Sequence, residues 1–459
     1  MTTSWYGILS RFNTFDILIM AEAKIWPIFR WANWGLSDDL FTGIQNSFYY
    51  SQNLEIREDM RSIYPCNQAI IASWGSTVSW TPVKMLQLSS WSWAVFSSQR
   101  VYVLDPDTGN INSGTSLGAA VCDAEIFGDK IFVTTKTKLL SFDYSSPDWD
   151  NPTEVATLTS CNYHPLQATS TVLVIWDKNK IKIVLYNALG TAIDQIKLAS
   201  NCTVKLLDFL WAYTRIVIEK WYYRNEIWLW DNSKEAINER IPMDWYNFYQ
   251  SVIYKWQHYL VSDKWLGLLN WYNYFIIKRF KKFSSNINSI CVYDDKLYIG
   301  WTDWIYIYWA KNKNYSEVLG MWTYTGATVW ALASNYEYIV SSKNGKVWAD
   351  EVAASDWELQ TMAYYGTSLS EIKQAVYLRV WYKIPQWWTL KVFYKTDAAD
   401  WTELTVSWGI TSSWDMRSPF ATTLKLNCRF QWIQFKFQLS WGRNTHLYSA
   451  DLYYNDMLD

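Results

Sequence analysis

At 459 residues the chain exceeds what one ordinary hydrophobic core encloses, so two or three domains are expected. Its 41 basic and 43 acidic residues leave a net charge of −2, which gives no basic field to neutralise nucleic-acid phosphates or an anionic membrane surface. Three histidines and six cysteines, with no C-x-x-C pair, provide no spacing for a zinc site, a histidine triad or a dense disulfide framework.

The first residues lack a basic stretch ahead of an apolar one, and no run reaches the roughly 18 apolar residues of a membrane span. A soluble protein without a Sec-type export signal, and without membrane insertion, is expected. Residues 1–66 read as an N-terminal arm. Gly7 to Asn13 and Asn46 to Arg57 carry turn residues and short extended runs without a helical period, so the arm is expected to pack on a neighbour or to close the domain that follows.

From 67 to 365 a strand-rich unit recurs about every 35 to 45 residues, the period of β-propeller blades. The units show as paired runs: Val101 to Leu104, Lys130 to Thr134 with Leu139 to Asp143, Val172 to Ile175 with Ile181 to Tyr186, and Arg215 to Ile218 with Glu226 to Trp230. They continue with Tyr259 to Ser262 and Tyr274 to Ile277, Lys296 to Ile299 and Ile305 to Tyr308, then Tyr338 to Ser341 and Lys346 to Trp348. Six or seven blades are expected. Between 366 and 459 the texture changes to longer alternating strands, Gln374 to Val380, Leu390 to Lys395, Phe430 to Leu439 and Leu447 to Tyr454, which suit a C-terminal β-sandwich. The fold class is therefore all-β.

Tryptophan is out of proportion, with 33 Trp against 17 Gly in a chain whose turns need glycine. Many stand where Asp-Gly or Asn-Gly would make a tight turn: Trp149, Trp245, Trp304, Trp357 and Trp401 follow Asp, and Trp34 and Trp271 follow Asn. Reading Trp301, Trp304 and Trp309 as Gly turns Leu297 to Tyr308 into an ordinary propeller hairpin. The hypothesis that unites both deviations is a genome in which UGA means glycine, translated here as though UGA meant tryptophan; such recoding occurs in certain uncultured bacteria and their viruses. The Asp-Trp tryptophans are then expected in exposed turns with positive φ, while Trp228, Trp330 and Trp348, inside apolar strand patterns, are expected to be authentic and buried. A genuine Trp-rich sugar-stacking surface is the alternative, although such residues would gather on one face.

Candidate chemistry is sparse. His164, His258 and His446 lie in separate units and read as isolated polar residues. The six cysteines, Cys66, Cys122, Cys161, Cys202, Cys291 and Cys428, read as free, mostly buried thiols. No P-loop, G-x-G-x-x-G or G-x-S-x-G occurs, so no cofactor, metal or catalytic residue is assigned. Carboxylates such as Asp208, Glu219, Asp294 and Asp295 could form a glycosidase pair, and solvated turns are the simpler reading. Ser341 to Trp348 resembles the Asp-box of sialidases, keeping Ser341, Gly345 and Trp348 but lacking the Asp and the Thr. In that family the box is structural, and no arginine triad can be placed beside it.

With Trp read as Gly, Leu378 to Asp397 resembles a sandwich module of phage tail and other virion proteins. Two strands flank a Pro-Gly-Gly-like turn at Pro385 to Trp388, the second ends in Tyr394, Lys395, Thr396 and Asp397, and the Gly-Thr-like pair Trp401 and Thr402 follows. The resemblance implies a non-enzymatic virion structural protein of a tail or baseplate, assembled in the host cytoplasm and involved in host attachment. Its partners would be other virion proteins, further copies of itself in a symmetric assembly, and a host surface glycan or protein. A glycan-binding or glycan-hydrolysing, sialidase-like propeller and a cellular surface-binding propeller are the alternatives. Codons test the recoding: UGA is expected at most of the turn tryptophans, and UGG there overturns it.

Overall fold

The computed structural model describes residues 23–30, 48–56, 63–65, 67–71, 82–89, 92–105, 110–199, 202–210, 213–220, 224–232, 236–243, 247–262, 265–270, 273–279, 289–301, 304–309, 318–324, 329–334, 339–343, 346–353, 356–366, 368–386, 389–397, 399–405, 409–411, 419–440 and 445–457. Every helix or strand among them is a β-strand. The chain is all-β, and its strands form blade-like antiparallel sheets and a sandwich. Two compact units result, Asn67–Glu317 with Trp322–Val352, and Met1–Cys66 with Val318–Met321 and Ala353–Asp459.

In the propeller unit, seven sheets occur among the described residues. Their innermost strands are Pro82–Gln87, Val121–Phe127, Leu166–Ala168, Cys202–Leu210, Phe248–Tyr254, Ile290–Tyr293 and Val329–Ser334. Each neighbours the next, and the seventh neighbours the first, so the inner strands form a ring. The seventh sheet is completed by Asn67–Ile71, which precedes the first sheet in sequence and pairs beyond Lys346–Ala353. Joining a strand from the start of the domain to its last sheet removes the loose end that an open row of sheets would have.

The second strand of each sheet carries the plainest burial signal. Trp93–Ser97, Val172–Asp177 and Lys296–Gly300 are buried along their whole length, because apolar cores lie on both sides of them. Leu206, Val217, Leu229, Phe248 and Leu260, for example, form one core between the fourth and fifth sheets. Gly300 shows how closely sheets approach: a Cβ there would stand 2.6 Å from Val329 Cγ1 of the next sheet. Two-residue hairpins join strands where both central residues accept positive φ, as at Asp294 (45°) and Asp295 (57°).

The second unit holds two six-stranded sheets. One orders Leu54–Ile56, Ile63–Pro65, His446–Asp456, Lys373–Lys383 and Phe420–Phe430, with Lys24–Arg30 also paired to His446–Asp456. The other orders Phe48–Gln52, Asp356–Thr361, Ile433–Ser440, Thr389–Thr396 and Thr402–Glu403, with Ile410–Thr411 on Thr389–Thr396. Tyr364, bridged to Ile433, packs its ring 5.4 Å from Tyr454 and 6.3 Å from Phe430 of the first sheet. The stretch read as an N-terminal arm thus supplies strands to both sandwich sheets, since antiparallel ladders with late strands satisfy its backbone. Asp356–Thr361, placed in the 67–365 segment by sequence, likewise pairs within the sandwich. The strand expected over Phe430 to Leu439 starts at Ile433, because Phe430 ends the preceding strand. Asp397 (φ 47°) holds the intervening turn, accepting from Gln431 N at 3.1 Å and Trp432 N at 3.0 Å.

The turn tryptophans correct the expectation of exposure. Trp149 lies in a turn, yet it is buried, its ring 4.7 Å from Phe142 and 5.9 Å from Phe96. Trp301, Trp304 and Trp357 are also buried, Trp401 is half-buried, and none of the five has positive φ. Rings of this size fill the space between sheets, which a glycine would leave empty. Trp357 still leaves its buried indole N–H without a partner. Trp245, Trp34 and Trp271 lie outside the described residues. Of the three expected to be buried, Trp228 is 2% exposed, Trp330 is 37% exposed, and the side chain of Trp348 is outside the description. One tryptophan not singled out by sequence has the glycine-like geometry: Trp256, 77% exposed, at φ 62° after Lys255 at 49° in a two-residue hairpin.

Opposite outcomes are expected at these positions. Trp256→Gly should stabilise the fold by about 1 kcal/mol by releasing left-handed strain. Trp149→Gly should destabilise it by about 3–5 kcal/mol, as truncation of a buried aromatic does. Thermal melts of both variants check this, and a gain in stability at Trp149→Gly would show that glycine belongs there.

Candidate functional site

The inner strands surround a partly open cavity of about 140 Å³. Its lining comes from all seven inner strands, as Lys84, Glu125, Gln167, Asp208, Val252, Ile290 and Leu332 show. Consecutive residues of one strand, such as Lys205 to Asp208, contribute to the lining, which mixes polar and apolar side chains.

Two charged groups occupy the walls. On one, Lys84 of the first sheet stands 3.3 Å from Asp123 Oδ1 and 3.7 Å from Glu125 Oε2 of the second. Asp123 also accepts from Ala124 N at 2.8 Å and, through Oδ2, from Leu166 N of the third sheet at 3.0 Å. One carboxylate therefore ties three consecutive sheets. Burial opposes the charge on Lys84, but Asp123 and Glu125 outweigh it and hold its pKa above the ordinary lysine value. Burial raises the pKa of Glu125, against the pull of Lys84.

On the other wall, Asp208 of the fourth sheet accepts from His258 Nε2 of the fifth at 2.9 Å. His258 Nδ1 is buried without a partner, so the ring is neutral with its proton on Nε2. Burial depresses its pKa, partly offset by Asp208. Arg215, opposite Asp208 in the ladder, is buried with Nε and Nη1 unpartnered, and burial lowers its pKa as well. Gln250 continues the pattern, donating to Ser289 Oγ of the next junction at 2.6 Å, and Ser334 Oγ of the seventh sheet donates to Val292 O at 2.7 Å.

Of the carboxylates named from sequence, only Asp208 lines the cavity. Glu219 is paired with Lys205 at 2.7 Å, and four residues of ladder separate it from Arg215, the cross-strand partner of Asp208. That is roughly 13 Å of strand, too far for a glycosidase pair. Asp294 and Asp295 form a hairpin turn, as their reading as turns had it. His164 is buried, its Nδ1 2.7 Å from Trp176 O; His258 belongs to the wall just described; His446 lies on a sandwich strand. Ser341 and Trp348 of the Asp-box-like stretch are cross-strand partners flanking a hairpin. Among the described residues no arginine lines the cavity. The described cysteines are free thiols, but only Cys202 and Cys291 are buried, the other three being half-buried, and Cys66 is outside the description. Lys84, Asp123 and Glu125 were not singled out by sequence, although a charged residue inside an apolar strand pattern was a visible signal.

No family model matches the chain, and no curated protein matches it. Among solved structures it is similar to the extracellular domain of the one component system BT4673 from B. thetaiotaomicron, at 10% identity, TM-score 0.47, covering 85% of this chain and 62% of that one. It is also similar to a catalytically inactive virginiamycin B lyase from Staphylococcus aureus with quinupristin, at 11% identity, TM-score 0.46, covering 61% and 97%. A third likeness is to Kluyveromyces lactis Hsv2, at 15% identity, TM-score 0.36, covering 51% and 81%. At this level nothing that those proteins bind or do transfers to this chain.

The neutral, buried His258 makes stability pH-dependent. Its folded pKa lies below its ordinary value of 6.5, so stability is complete above 6.5 and is lost as pH falls from there through the folded value. Glu125 acts oppositely: its raised folded pKa gives stability below the ordinary value of 4.5 that is lost as pH rises through the folded value. His258→Asn, which keeps a donor for Asp208 without titrating, should flatten the loss below pH 6.5. Chemical denaturation of both proteins across pH 4 to 8 checks this, and identical profiles would show that His258 does not titrate on unfolding.

Proposed function

We propose that the chain is a non-enzymatic structural protein of a phage particle, part of a tail or baseplate with a role in host attachment. The observation that carries this reading is the lacing of the sandwich by strands from both sides of the propeller segment. Phe48–Gln52 pairs with Asp356–Thr361, and His446–Asp456 holds both Lys24–Arg30 and Ile63–Pro65. A propeller segment whose two ends are each anchored in ladders suits a part that transmits load and presents a rigid face. The resemblance of Leu378 to Asp397 to virion sandwich modules supports the same reading, and Asp397 serves there as a turn clamp. The channel charges neutralise one another across sheets, an arrangement that favours rigidity and binding over proton transfer.

The test is the particle itself. Mass spectrometry of gradient-purified particles from the source culture should find this chain in fixed ratio to capsid protein, and antibodies should label one end of the particle in electron micrographs. Finding the chain only in the particle-free fraction overturns the proposal.

A further inference from the structure

We infer that the propeller channel is a receptor pocket for a single neutral sugar ring, the end residue of a surface glycan. This rests on the host-attachment reading above and names the ligand.

The pocket selects by elimination. Its polar lining mixes Lys84 and Lys205 with Asp123, Glu125 and Asp208. An anion would face three carboxylates, a cation two ammonium groups, and a wholly apolar ligand would desolvate all five without replacing their hydrogen bonds. A polyol has what both signs require, since each hydroxyl donates to a carboxylate and accepts from an ammonium. Lys84, held between Asp123 and Glu125, fixes those carboxylates in place before a ligand arrives, which lowers the entropy lost on binding. Leu206, Val252 and Leu332 supply apolar lining for the C–H face of a sugar ring.

Size and rim agree with this. A cavity of about 140 Å³ is close to the roughly 150 Å³ that holds a bare six-membered ring such as benzene; a pyranose carries about twice as many heavy atoms, so part of one ring enters this partly open pocket and the rest of a glycan stays outside. At the edge, Tyr163 is 38% exposed and lies two residues before lining residue Pro165, with Lys205 Nζ 4.6 Å from its ring centroid. Because the third, fourth, fifth and sixth sheets are each four-stranded meanders, the inner strands of the third and the seventh start on the same side of the ring. Trp330, 37% exposed and two residues before lining residue Leu332, therefore begins its strand on the side where Tyr163 lies. Exposed aromatics on that side offer stacking surface for an incoming sugar chain.

The experiment titrates the full chain with glucose, galactose, mannose and N-acetylglucosamine, and with sialic acid as the anionic comparator, by calorimetry and saturation-transfer NMR. At least one neutral sugar should bind in preference to sialic acid. Tyr163→Ala and Glu125→Gln should each weaken it by about tenfold or more, while both variants melt as cooperatively as the parent. Tyr186→Ala, which removes an aromatic 59% exposed at the opposite end of its sheet's strands, should leave binding unchanged. No binding of any neutral sugar, stronger binding of sialic acid, or unchanged binding in both pocket variants overturns the inference. A chain that is found in particles but binds no sugar defeats this inference alone, and one that binds sugar but is absent from particles defeats only the virion reading.

Discussion

The propeller depends on buried polar bridges between neighbouring sheets, and Asp123 is the clearest. Its carboxylate meets Lys84 from the first sheet, its own sheet's Ala124 N–H, and Leu166 N–H from the third. Apolar packing between sheets is strong but non-directional, so it does not by itself set the angle at which one sheet follows another. Hydrogen bonds do, because they fail within a few tenths of an ångström or a few tens of degrees. Asp208 with His258, Gln250 with Ser289, and Ser334 with Val292 repeat the device further round the ring. Each contributes about 0.5–1.5 kcal/mol net, but a partner left unpaired costs about 1–3 kcal/mol, which penalises any shift of one sheet against the next.

The same residues create the channel's chemistry. Side chains that bridge sheets at the centre of a ring also line the space it encloses, so the groups that hold the sheets in place also set the polarity of the cavity. Lys84 holds Asp123 and Glu125 in an arrangement with little net charge and many hydrogen-bond sites. His258 and Arg215 back Asp208 from the buried side. The groups on the channel walls that could carry protons are hydrogen-bonded or ion-paired to neighbouring sheets, which fixes their positions.

Tryptophan divides by environment. Trp149 has become part of an apolar core, where the indole replaces empty volume and packs on Phe142 and Phe96, and Trp304 is buried as well. Trp256 stands in water with a backbone that a bulky side chain resists, as a glycine position would look if it held an indole. An Asp-Trp pair in sequence therefore does not report the turn it resembles; burial and φ at the individual site do.

Local sequence determined the all-β class, the repeating period and most individual strands, because period-2 patterns and long apolar runs encode sheet burial directly. The strands it revealed best were the second and third of each sheet, such as Val172–Asp177, buried along its whole length, and Lys180–Leu185, buried at Ile181, Ile183 and Val184. Inner strands such as Val121–Phe127 were overlooked, since Asp123 and Glu125 break the apolar pattern. Those charges become meaningful only when the ring brings Lys84 to them across 39 residues of chain. Tertiary structure alone also decided that Lys24–Arg30 and Phe48–Gln52 belong with strands at the far end of the chain. A strand's own residues specify which face is apolar, but its partner is chosen by backbone groups and by register, and these are the same in every strand.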